Sequence, residues 1–206
     1  DDGTLWTRIS SGEFTDLYVG DYIYKNNICW RIAGFDIYLG KGNSTNTSIN
    51  QTYSNHHVVI VPDSRLGNST VGNTFQMNET NTTGNVGAGY TYIDHDDSTE
   101  KAAAAYVGSK MYNVTLPIIL STFIEPVFGE HILQYKNLLT VATTSSRISR
   151  YGTSTSVSSD WNWETRKLDL MNENQVFGSI SWSSSGYETG SDNIQFPLFK
   201  LKIGRA

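Results

Sequence analysis

The stretch Ile28-Cys-Trp-Arg-Ile-Ala-Gly-Phe-Asp-Ile-Tyr-Leu39 is aromatic and β-branched, with Arg31 and Asp36 as its charged residues. Side chains of this kind favour a pleated, partly buried backbone. The stretch is therefore read as a strand, with a kink expected at Gly34, where no side chain is present to pack. Residues 40–55 are dominated by Gly, Asn, Ser and Thr and read as a solvated loop. A second strand, His57–Val61, follows and stops at Pro62-Asp63.

On the N-terminal side, residues 1–27 carry Trp6, Ile9, Phe14, Leu17, Tyr18, Val19, Tyr22 and Ile23 without a sustained helical period. They read as an arm leading into a single domain over 28–206. On the C-terminal side, residues 64–100 lack apolar periodicity and form a long polar excursion, a type of loop that is usually functional or disordered. A helix is expected between Lys101 and Phe128, favoured by Ala102–Ala105. Pro117 and Pro126 should divide it into two shorter helices. Ile132–Val141 fits either helix or strand, and Ser145–Asp160 is a second polar loop. Beyond Trp161, short strands are expected at Lys167–Met171, Ile180–Trp182 and Gln195–Leu201, with a helical turn at Asn172–Phe177. The sum is an α+β domain of short strands, one or two helices and long polar loops.

Composition narrows the function classes. The net charge is -5 and only 17% of residues are charged, so no basic surface suited to a phosphate backbone is expected. Twelve tyrosines and five tryptophans among Asn, Ser, Thr and Gly suit saccharide contact or a repetitive protein lattice. One cysteine, Cys29, excludes an intrachain disulfide and reads as a small buried hydrophobe. No stretch is read as a membrane span and none as a signal peptide. The first residues, Asp-Asp-Gly, lead to the expectation of a longer polypeptide upstream.

His56 and His57 adjoin a strand start, and neighbours on a strand point to opposite faces, so a structural role is favoured over a shared metal site. Asp94-His95-Asp96-Asp97 lacks the ligand order of an EF-hand and reads as a solvated acidic loop, leaving a weak calcium site unsupported. There is no Gly-x-Ser-x-Gly elbow. The segment Gly84–Gly89 is neither a dinucleotide fingerprint nor a Walker loop. Glu164, Asp169 and Glu173 supply carboxylates of the type glycoside hydrolysis uses, but their alternation also fits surface charge. No catalytic residue and no cofactor is assigned. Asn-x-Ser/Thr sequons at Asn43, Asn46, Asn50, Asn68, Asn78, Asn81 and Asn113 are what loops rich in these residues generate. Trp161, Trp163, Trp182 and Tyr187 flank the polar turn 183–190 and are the candidate binding residues, with core packing the competing reading for the tryptophans.

Several ordered blocks then carry a family likeness across nearly the whole chain. They are Trp30-Arg-Ile-Ala-Gly-Phe-Asp36, His56-His-Val-Val-Ile-Val-Pro-Asp63, Met77-Asn78, Thr82-Thr-Gly84, Tyr106-Val-Gly-Ser-Lys-Met111, Leu168-Asp-Leu-Met-Asn-Glu173, Gln175-Val-Phe-Gly178 and Gln195-Phe-Pro-Leu-Phe199. The lead-in, from Arg8-Ile9 through Gly12, Phe14 and Gly20-Asp21-Tyr22-Ile23, matches as well. Together they resemble a virion structural family of tailed phages of Firmicutes hosts, whose members are capsid-associated, head-fibre or tail-adhesin proteins. The resemblance implies a C-type-lectin-like later part that displays variable loops. Members usually continue past the Phe-Pro-Leu-Phe segment into a Trp-rich stretch, so the expectation is either that closing strands lie beyond Ala206 or that this member is shorter. It also implies a non-enzymatic protein on the virion surface, anchored by a segment before residue 1 to other virion proteins. A homo-oligomer contacting a host cell-surface glycan is expected, with neither nucleic-acid binding nor membrane insertion. The alternatives are a decoration or stabilising protein without a ligand, and an envelope polysaccharide depolymerase.

Overall fold

The computed structural model describes residues 3–41, 53–64, 66, 106, 109–140, 161–178 and 195–203. They form a mixed α+β fold with two small antiparallel sheets, one long helix and three short helices. The first sheet has the order β1-β2-β3, with β1 at Tyr22–Lys25, β2 at Ile28–Phe35 and β3 at Val58–Pro62. The second pairs β4, Tyr135–Thr140, with β5, Trp161–Arg166. The helices are α1 at Thr4–Ser10, α2 at Met111–His131, α3 at Glu173–Phe177 and α4 at Pro197–Ile203.

β1 and β2 form a hairpin closed by Asn26 and Asn27, whose φ angles are 53° and 59°. Two successive left-handed residues match the twist of the flanking strands, and asparagine tolerates that region better than most side chains. The segment read as a lead-in thus contributes α1 and an edge strand of the first sheet. The expected kink in β2 is a register shift between Ile32 and Gly34, leaving Ala33 without a cross-strand partner.

Alternation along β2 feeds two cores. Trp30 points to one face and is buried with Met111, Leu116, Ile119, Phe123, Ile124 and Phe128 of α2. Ala33 and Val61 point to the other and are buried with Ile37, Phe196 and Leu198, which brings α4 onto the sheet. Gly34 is where that approach is closest: a Cβ there would lie 2.8 Å from Ile37 Cδ1 and 3.0 Å from Pro197 Cδ. The proline ring cannot swing away as a flexible chain would. Gly34→Val should therefore lower stability by about 1–3 kcal/mol through overpacking, read as a lower urea midpoint with an unchanged slope.

α2 departs from expectation by running unbroken through both prolines. It contains two wide five-residue turns, Met111–Thr115 and Leu120–Ile124, in which the amides of Leu116 and Glu125 reach five residues back to Met111 and Leu120. Pro117 and Pro126 each sit second in the α-helical segment that follows such a turn. A proline lacks the N–H that would bond a carbonyl in the preceding turn. One carbonyl within reach of Pro117, that of Tyr112, instead accepts from Arg166 Nη2 at 3.0 Å. Although no membrane span is expected from the sequence, α2, at 21 residues with a mean hydropathy of 1.3, is long and apolar enough to cross a membrane by length and composition. Its polar residues from Met111 to Ile124 are uncharged, and 44% of the apolar window is buried in the fold, where α2 supplies most of the first core.

Three further expectations change. Lys167–Met171 is no strand: β5 ends at Arg166, and Asp169 and Leu170 are turned into a polar cluster instead. Gln195–Leu201 is not a strand either, since Pro197, with its fixed φ, opens α4. Cys29 is half-buried and not fully enclosed, because its strand neighbour across the hairpin is the exposed Tyr24. By contrast, within the stretch that fitted either helix or strand, Tyr135–Thr140 forms strand β4, and the expected helical turn is α3. Asn172 and Gln175 cap α3 reciprocally, each backbone amide donating to the other's side-chain oxygen at 2.9–3.0 Å.

Candidate functional site

Two arrangements stand out, one on the surface and one inside. The surface arrangement grows from β1, all four residues of which are exposed. Tyr22 and Tyr24 alternate with Ile23 and so share a face, about 7 Å apart along the strand. They lie opposite Arg31 and Cys29 on β2, away from the Trp30 face. On that same side of the sheet, α4 covers Ala33 and Val61 but leaves the β1 end open. Tyr22 and Tyr24 are 66% and 62% exposed, and Tyr18 is 66% exposed.

Tyr18 is placed by a turn in which the Asp21 amide donates to the Tyr18 carbonyl and Asp21 Oδ2 accepts from the Tyr18 amide at 2.9 Å. Gly20, at φ 96°, makes the turn possible and also lies against Leu198. The Arg31 guanidinium lies 5.4 Å from the Tyr22 ring centre. It donates to Asp63 Oδ2 at 2.9 Å and to the Gly20 carbonyl at 3.1 Å. Its charge is thus matched by Asp63, and the surface presents aromatic faces bordered by a paired guanidinium and carboxylate. Flat rings with polar neighbours are suited to stacking against a ligand that also hydrogen-bonds.

The internal arrangement centres on Asp169. Its Oδ1 accepts from the Tyr106 hydroxyl and from the Leu170 amide, and its Oδ2 accepts from Asn137 Nδ2 at 3.0 Å. Burial pushes the Asp169 carboxyl above the usual carboxylate range, while these donors and the Arg166 charge pull it back. Burial likewise raises the Tyr106, Tyr38 and Tyr135 hydroxyls, with the Asp169 charge adding to each. Tyr112 is pushed up to about 12, chiefly by burial, despite the Arg166 guanidinium 3.6 Å above its ring. Tyr38 and Tyr135 stack at 4.3 Å, and Gln175 Nε2 donates to the Tyr38 hydroxyl at 3.3 Å. The cluster joins the end of β2, strand β4 and helix α3 through hydrogen-bonded side chains.

Of the residues singled out in the sequence, Trp161 and Trp163 lie on β5, opposite Thr140 and Leu138. Trp182, Tyr187 and the loop 94–97 lie outside the described residues, as do Gly84–Gly89 and every sequon but Asn113. Asn113 is on α2 and donates to the Ser109 carbonyl. Among the carboxylates, Asp169 is held by the internal cluster, and Glu164 hydrogen-bonds Tyr112. His56 Nδ1 contacts Asp36 Oδ2 at 2.8 Å, whereas His57 points inward. No group of three or more His, Cys, Asp or Glu side chains is placed to hold a metal among the described residues. The sequence reading missed the exposed tyrosines, although Tyr-Ile-Tyr before a two-residue Asn-Asn turn is a legible hairpin signal. Compared with protein-family models, curated proteins and solved structures, the chain gives no match.

Proposed function

We propose that this chain is a non-enzymatic adhesion module on the surface of a tailed-phage virion, binding a host-envelope glycan. The observation that carries the reading is the set of three tyrosines, Tyr18, Tyr22 and Tyr24, exposed at 62–66% around one edge of the first sheet. Exposed rings of this size leave apolar area in water unless a ligand covers it. The matched Arg31–Asp63 pair beside them favours a ligand without strong net charge. The ordered sequence blocks support the virion assignment, and with it a C-type-lectin-like later part, attachment to other virion proteins and assembly as a homo-oligomer. In such an oligomer, weak single-site contacts add through avidity.

Fluorescently labelled protein in its native oligomeric form should stain intact host cells and not cells stripped of surface glycans. Replacing Tyr22 and Tyr24 by alanine removes two stacking rings at about 1 kcal/mol each. Single-site affinity should then fall roughly thirtyfold, and staining with it. A double variant that stains as the wild type does would remove β1 as the binding surface. Absent staining by a verified oligomer would instead favour a decoration protein without a ligand.

A further inference from the structure

His57 sits at the exit of β2 in a setting that fixes its protonation state by geometry. It is 6% exposed. Its Nδ1 lies 2.9 Å from the Asn55 carbonyl, which can only accept, so Nδ1 carries the hydrogen. Its Nε2 lies 3.1 Å from the Tyr38 amide, which can only donate, so Nε2 carries the lone pair. One neutral tautomer satisfies both contacts, and a doubly protonated ring would set two hydrogens against each other at Nε2. The ring is also enclosed, stacked on Tyr38 at 5.9 Å and met edge-on by Tyr53 at 5.1 Å.

The backbone here depends on the same residues. Asp36 adopts a left-handed φ of 52°, its amide donates to the His57 carbonyl, and its Oδ1 accepts from the His57 amide at 2.8 Å. Tyr38, two residues on, carries the ring that stacks on Tyr135 of the second sheet. The groups facing the imidazole are the Asp36 carboxylate, 3.7 Å from Nδ1, together with His56, Tyr38 and Tyr53. The Asn55 carbonyl and Asp36 favour the imidazolium, whereas enclosure and His56 oppose it.

We propose that His57 is an acid-sensitive latch: a proton on Nε2 displaces the Tyr38 amide, frees the exit of β2 and loosens the Tyr38–Tyr135 stack that joins the two sheets. Burial holds the His57 ring below the usual histidine value, outweighing the hydrogen bond to the Asn55 carbonyl and the Asp36 charge. The sign follows. The unfolded chain takes up this proton at a higher pH than the folded chain does, so the contribution is full above the ordinary value of about 6.5. It declines as pH falls through that value toward the folded one.

The test is amide exchange on the full isotope-labelled chain, corrected for intrinsic rates, at pH 7.5 and at a pH where the His57 ring has titrated. Protection of the Tyr38 amide should fall at least about tenfold on acidification, while that of Ile32, which bonds the Asp21 carbonyl, holds. In His57→Gln, whose amide can donate to Asn55 and accept from Tyr38 without titrating, Tyr38 protection should be equal at both pH values. Tyr38 protection that survives titration of the ring, or a Gln variant with the same acid loss, would overturn the latch. Should that variant not fold, the ring nitrogen spectrum of the wild type decides: the Nδ1–H tautomer is required at pH 7.5, and an Nε2–H tautomer refutes the proposal.

Discussion

Trp30→Ala is expected to lower the stability of the fold by about 3–5 kcal/mol, the range for removing a large aromatic side chain from a packed core. Trp30 is 2% exposed and is the residue of β2 that enters the α2 core. Its ring meets Phe128 edge-on at 5.3 Å, and its Nε1 donates to the Lys25 carbonyl at 3.4 Å. The substitution therefore removes the wedge between sheet and helix and also a tie to the hairpin. Domains are stable by about 5–15 kcal/mol, so the variant should be near its limit. Equilibrium urea unfolding is the measurement. With slopes of about 1–3 kcal/mol per molar, a midpoint lowered by at least about 1 M is expected. A shift within a few tenths would mean that α2 does not depend on the sheet for its packing.

Asp169→Ala should cost about 3 kcal/mol, because it leaves the Tyr106 hydroxyl and the Asn137 amide without their acceptor and takes from the Leu170 N–H one of its two, the other being the Tyr106 hydroxyl oxygen. Asp169→Asn should cost much less, since an amide oxygen keeps Tyr106 and Leu170 and Asn137 can turn its own oxygen toward the new NH2. The two variants also separate charge from geometry. Burial raises the folded carboxyl above its ordinary value, so the folded chain holds this proton more tightly than the unfolded chain. That contribution is full below the ordinary carboxylate value and is lost as pH rises through the folded one. Comparing urea midpoints of wild type and Asp169→Asn across that interval should show the wild type losing ground with rising pH relative to the amide. A parallel pair of curves would mean that the carboxyl is solvated. Asp169 and His57 thus tilt stability in opposite directions across the acid range, and the amide variants at each position separate them.

What was legible in the sequence was what rests on local chemistry. The β-branched and aromatic run at 28–39 forms β2, and Pro62-Asp63 ends β3, because side-chain shape and a missing N–H act within a few residues. The prolines of α2 misled, since their effect depends on whether a wide turn and a distant guanidinium can serve the backbone around them. Gln195–Leu201 misled for a related reason: Phe196, Leu198 and Phe199 suit a strand by composition, but Pro197 is preorganised to begin a helix. The candidate site was less legible. Tyr18 and Tyr22 counted among the apolar residues of an arm and Tyr24 was not singled out, because exposure depends on where α4 stops covering the sheet. Asp169 counted as ordinary surface charge, because its partners Tyr106 and Asn137 are far away in the chain.

The wide turns of α2 also bear on how this protein tolerates changes in length. An ordinary helix turns by about 100° per residue, so deleting one residue swings everything beyond it off its buried face. Here the spare residue already exists, at Met111–Thr115 and again at Leu120–Ile124. Removing one exposed position from the first of these, such as Asn113, would tighten a wide turn into an ordinary one while Leu116, Ile119 and Phe123 keep their bearings. The helix thus carries slack in its own gearing, and single-residue deletions there should be far milder than the same deletion between Leu116 and Ile119.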